Sequence, residues 1–94
     1  MKWIELIQLR SADRNRKMLE SKMQRLIDEV ARENKGQLIM AYSRVLIDTD
    51  FCIHILHDSK KVETGGSRLG LHLVAALKEF GLVNYSIWTE MNSK

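Results

Sequence analysis

Apolar positions recur along this chain with two periods, and the switches between them mark six elements. The clearest switch lies between Thr64 and Glu90. Leu69, Leu73, Ala76, Leu77 and Phe80 recur at three- and four-residue spacing, as on one face of a helix, after a Gly65-Gly66-Ser67 turn that supplies a serine N-cap. Gly81 is placed to close this helix in the left-handed conformation, with Leu82 packing back beneath the cap. From Val83 to Glu90 the alternation is that of a strand.

The earlier part of the chain reads the same way. Trp3 to Leu9 is a strand with two largely apolar faces, Trp3, Glu5, Ile7 and Leu9 on one and Ile4, Leu6 and Gln8 on the other. Ser11 or Asp13 then caps a helix from Arg14 to Glu33, whose stripe is Met18, Leu19, Met23, Leu26, Ile27 and Val30 and whose stop is Asn34-Lys35-Gly36. Gln37 to Ile47 and Asp50 to His57 are rich in Ile, Val, Leu and Phe and form an antiparallel hairpin, turning at Asp48-Thr49 or Thr49-Asp50. A polar loop, His57 to Gly66, leads to the second helix.

Strand, helix, strand, strand, helix, strand has one compact solution. Two right-handed crossover units put both helices on one face of a four-stranded antiparallel sheet, an α+β, ferredoxin-like βαββαβ fold. Alternation directs Ile4, Leu6, Ile39, Ala41, Val45, Phe51, Ile53, Ile55, Val83, Tyr85 and Ile87 to the helices. The other face then carries Trp3, Ile7, Leu9, Leu38, Met40, Tyr42, Cys52, Leu56 and Trp88, too much apolar surface for a soluble monomer to leave in water. A partner is expected to cover it.

Composition narrows this picture. Ninety-four residues, 45% of them hydrophobic, suit a single domain over residues 1–94. A net charge of +3 with 29% charged residues of mixed sign lacks the clustered basic face of a nucleic-acid binder. One cysteine, Cys52, excludes a disulfide framework, and Glu5 interrupts any signal-peptide core. No apolar run approaches the roughly 20 residues that span a bilayer. The expectation is a cytoplasmic protein without nucleic-acid or membrane partners.

The opening Trp3-Ile4-Glu5-Leu6-Ile7, the run Asp50-Phe51-Cys52-Ile53-His54-Ile55-Leu56 leading through a polar loop to a helix started by Ser67, and the ending Phe80-Gly81-Leu82-Val83-Asn84-Tyr85-Ser86-Ile87-Trp88 together resemble the dimeric α/β-barrel superfamily. Within it the chain is most similar to antibiotic-biosynthesis-monooxygenase-type domains. The resemblance lies in element order and apolar pattern over most of the chain. It implies a homodimer packed sheet against sheet around a cavity. Cofactor-free oxygenases of aromatic compounds, haem-degrading enzymes and muconolactone isomerases all use this architecture, so it does not select a reaction.

Candidate chemistry follows from the second face. There His54 is the singled-out base, with Glu5 as a neighbouring carboxylate, and Trp3, Tyr42, Arg44, Ser86 and Trp88 line the expected cavity, with Glu90 at its edge. The competing role for His54 is structural, bonded to Tyr42 or Ser86. His72 matches in position a haem ligand of some haem-degrading relatives, but their first-strand asparagine is absent, since this chain has Glu5 and Gln8. No cofactor is therefore expected, haem being the one the resemblance raises, and three histidines with one cysteine at these spacings make no metal motif. His57 reads as a loop residue. Gly65-Gly66-Ser67-Arg68 reads as a turn and cap, or else as an anion-binding helix start. Two functions remain: a cofactor-independent monooxygenase or related small-molecule enzyme, and a non-enzymatic ligand-binding or dimerisation module.

Overall fold

The structure is a computed structural model that describes residues 2–12, 15–34 and 36–91. The elements are β1 (Lys2–Ser11), α1 (Arg16–Glu33), β2 (Leu38–Ser43), β3 (Asp50–Asp58), α2 (Arg68–Leu77) and β4 (Gly81–Thr89). All pairings are antiparallel, in the order β2-β3-β1-β4, so the expected ferredoxin-like fold is the one adopted.

Both helices bury one stripe against the same side of the sheet. Leu19, Met23, Ile27 and Val30 from α1 and Leu69, Leu73 and Leu77 from α2 meet Ile7, Leu9, Phe51, Ile53 and Ile55 in one core. Each such side chain removed from water contributes on the order of 2 kcal/mol. No helix among the described residues is long and apolar enough to cross a membrane.

Four local expectations need correction. The first concerns the face of β1. Trp3, Glu5, Ile7, Leu9 and Ser11 are buried under the helices, whereas Ile4, Leu6, Gln8 and Arg10 point to the other side. The register is one residue from that expected, because the odd set continues to Leu9 and Ser11 while the even set ends in Gln8 and Arg10, which water solvates best. The second is the start of α1, which is capped by Asn15, its side chain accepting from the Met18 amide at 3.2 Å. Ser11 closes β1 instead, and Asp13 lies outside the described residues.

The third correction is the hairpin. β2 stops at Ser43, and residues 44–49 form a longer turn with Leu46 at φ 64°, leaving Val45 81% exposed rather than under a helix. Arg16 ties this turn to α1 through Asp48 at 3.0 Å and Ser43 Oγ at 2.6 Å. The fourth is Gly81. It begins β4 and has no positive φ, so it is not a left-handed cap. Its role is close approach: a Cβ there would collide with the Arg10 carbonyl and Ser11 across the β1–β4 ladder.

Candidate functional site

The two faces of the sheet divide the polar residues. On the inner face, Glu5 is fully buried and surrounded by donors from three other elements or turns. Ser67 donates its amide to Glu5 Oε1 at 2.9 Å and its hydroxyl to Oε2 at 2.5 Å. The Tyr85 hydroxyl donates to Oε1, and His57 Nε2 stands 2.6 Å from Oε2. Trp3 stacks on His57, centroids 3.9 Å apart, and its indole N–H donates to Ser59 Oγ at 2.9 Å.

Burial alone would raise the Glu5 carboxyl, but the bonds from Ser67, Tyr85 and His57 hold it below its ordinary value. Tyr85 moves the opposite way, pushed up by burial and by its bond to the Glu5 carboxylate. The start of α2 is thus an anion-binding terminus filled by the protein's own carboxylate, with Ser67 also accepting from the Gly70 amide at 3.0 Å. Space here is fully used. A Cβ on Gly70 would meet the Glu5 carboxylate, and one on Gly66, already at φ +96°, would meet the Tyr85 hydroxyl.

Two predicted cavity residues, Trp3 and Glu5, therefore sit on the wrong side of the sheet to join His54. Strand parity decides this: Glu5 pairs with Ile55 and shares its inward face, whereas His54 pairs with Leu6 and faces out. The inner cluster joins residues 3, 5, 57, 67 and 85. Two of its signals were legible, an acidic residue on an otherwise apolar β1 face and a serine cap at a possible anion-binding helix start.

The outer face gathers the remaining predicted residues. Tyr42, His54, Ser86 and Trp88 project from it, and Arg44 stands at its hairpin end. The His54 ring lies 4.9 Å from that of Tyr42, and its Nε2 is 3.9 Å from the Cys52 sulfur. The expected bond from His54 to Tyr42 or Ser86 is not among those formed. Instead the Ser86 hydroxyl accepts from the Trp88 indole at 2.8 Å. Burial pushes the Cys52 thiol up, away from the reactive thiolate.

At the hairpin end this face sinks into a basin of about 440 Å³, bordered by Gln8, Arg10, Tyr42, Arg44, Asp50 and Asn84. Asp50 accepts from Arg10 Nε at 3.2 Å and Nη2 at 3.3 Å, and from Arg44 Nη1 at 2.9 Å. The Arg10 guanidinium, with help from Arg44 and Thr49, holds the Asp50 carboxyl below its usual range. Sequence reasoning named Arg44 but missed Arg10 and Asp50, which only the β1–β3 register brings opposite one another.

His72 does not fit a haem ligand. It is exposed on α2 over a hollow of about 320 Å³ that is shared with Glu33, Asn34 and Arg68, while the volume beneath the helix is filled by Leu69, Leu73 and Leu77. Among the described residues no group of three or more His, Cys, Asp or Glu is arranged to hold a metal ion.

No family model matches the sequence, and no curated protein matches it. Solved structures do. A variant of SnoaB, a cofactor-independent oxygenase from Streptomyces nogalater, is similar with a TM-score of 0.70 at 12% identity, over 98% of this chain and 95% of that one. Rv0793 from Mycobacterium tuberculosis is similar with a TM-score of 0.65 at 13% identity, over 99% and 98%. At these identities it is the architecture that is shared, the ferredoxin-like fold of four antiparallel strands and two helices.

Proposed function

We propose that this protein is a homodimer closed sheet against sheet, and that it binds a small aromatic molecule on the covered face as a cofactor-independent monooxygenase or a related enzyme. The observation that carries this is the outer face itself. Leu38, Met40, Tyr42, Leu56, Leu82 and Trp88 are all exposed there, Tyr42 and Leu82 bordering the basin at the hairpin end and Trp88 standing 56% exposed toward the other end. Such a patch marks an interaction surface, and a second copy offers the same apolar face in return. The likeness of fold to a cofactor-independent oxygenase supports the chemistry.

Without a metal or flavin, the substrate must itself reduce oxygen. An electron-rich ring bearing a methylene balances the step: one C–H proton passes to a base, the resulting anion bonds to one oxygen atom, and the methylene becomes a carbonyl with release of water. His54 is the base on this reading, since the other two imidazoles lie on the inner face and on α2. One observation favours the non-enzymatic alternative, a ligand-binding module: the carboxylate expected to orient His54 lies on the opposite face. Oxygen uptake with a panel of electron-rich phenols that carry a methylene next to the ring separates the two. Turnover that falls about 100-fold in His54→Ala, with the dimer intact, supports the enzyme. Undiminished turnover in that variant removes His54 from the reaction, and no turnover by the wild type gives the module reading the lead.

A further inference from the structure

The basin at the hairpin end of the outer face has a charge that its apolar surroundings do not explain. Two guanidiniums, Arg10 and Arg44, converge on one carboxylate, Asp50. Their bonds to it use three N–H groups of the ten that two guanidiniums carry, and no other partner among the described residues takes the rest. Asp50 is only 14% exposed, while Arg10 and Arg44 are 66% and 58% exposed. The carboxylate therefore acts from below as a fixed post that holds both cations at the rim.

We infer that this basin binds an aromatic monocarboxylate, with the ligand's carboxylate on Arg10 and Arg44 and its ring against Tyr42. The inference rests on the reading of the outer face as the ligand-binding side. Charge selects the anion: two cations against one carboxylate leave a single net positive charge, which suits a monoanion better than a phosphate dianion. Geometry selects the headgroup, because a planar guanidinium fork matches the two oxygens of a carboxylate. Preorganisation by Asp50 lowers the ordering cost of each long side chain when a ligand arrives. The remaining walls accept a ring, since Tyr42, Leu82 and Cys52 border the basin and its volume falls within the range of small-molecule sites.

The test compares 2-naphthoate with its neutral amide, 2-naphthamide, by titration calorimetry on the wild type and on Arg10→Gln/Arg44→Gln. Light scattering is run on the same samples. The wild type should bind the carboxylate about tenfold or more tightly than the amide, as charge-assisted hydrogen bonds require. The double variant should lose that preference by weakening the carboxylate alone. Equal binding of both probes, an unchanged preference in the double variant, or no binding of 2-naphthoate by the wild type overturns the inference. A double variant that turns monomeric also overturns it, since the arginines would then serve the interface. A monomeric wild type that still discriminates through both arginines leaves the inference standing and removes the dimeric chamber instead.

Discussion

The inner and outer faces of one sheet treat polar groups in opposite ways. Inside, Glu5 takes four hydrogen bonds, from Ser67, Tyr85 and His57, and among the described residues no buried side-chain nitrogen or oxygen lacks a partner. Outside, His54, Arg10 and Arg44 stand beside exposed apolar side chains with donor capacity to spare. A cluster whose polar atoms are all bonded specifies the fold, whereas underused donors at a concave apolar surface are the features that ligand sites present. On the proposed reading function lies on the side with fewer internal bonds, although the inner pair of His57 and Glu5 looks more like a catalytic dyad.

The sharpest way to break that division is to alter the inner cluster. Glu5→Leu leaves His57, Tyr85 and Ser67 without their common acceptor and should cost about 3–5 kcal/mol, because several buried donors lose their partner at once. Denaturant titration reads it. A loss below about 1 kcal/mol would mean that the cluster does not hold α2 to the sheet.

Ser67→Ala comes next. A plain N-cap is worth about 1 kcal/mol, but Ser67 Oγ both accepts from the Gly70 amide and donates to Glu5, so about 2–3 kcal/mol is expected. A cost no larger than the cap would show that the serine–glutamate bond adds nothing.

The third prediction is a pH dependence. The native Glu5 carboxyl lies below its ordinary value of 4.5, so the unfolded chain binds more protons in that window and stability falls as pH drops. The contribution is complete above the unfolded value and is lost as pH falls through the depressed native one. Asp50, held low by Arg10, acts with the same sign, so Glu5→Gln is the necessary comparison. Between about pH 5 and 3 the wild type should lose stability more steeply than this variant. Parallel profiles would show that the native Glu5 carboxyl is not held below its unfolded value.

Much of this architecture is legible in the chain. The α1 and α2 stripes, the Ser67 cap and the alternation of β3 and β4 each follow from local spacing, and together they impose the topology. The face of β1 was not legible in the same way, because Ile4 and Leu6 compete with Trp3, Ile7 and Leu9, and a buried glutamate argues for the wrong side until its donors are known. Those donors are 52, 62 and 80 residues away. The outer site was half legible for a related reason. Tyr42, Arg44, His54, Ser86 and Trp88 were placed by alternation, whereas Arg10 and Asp50 meet only through strand pairing that no local pattern encodes.

The account rests most heavily on the outer face being covered by a second copy of the chain. Trp88 is the largest exposed apolar side chain there, and its burial would contribute on the order of 2 kcal/mol to association. Light scattering of the wild type and of Trp88→Asp at micromolar concentration tests this directly. The wild type should have twice the mass of one chain, and the variant should shift toward a single chain that is still folded, with the native far-UV circular dichroism. A wild type that remains a single chain at that concentration, or a variant that dimerises as tightly as the wild type, would contradict the assignment of this face.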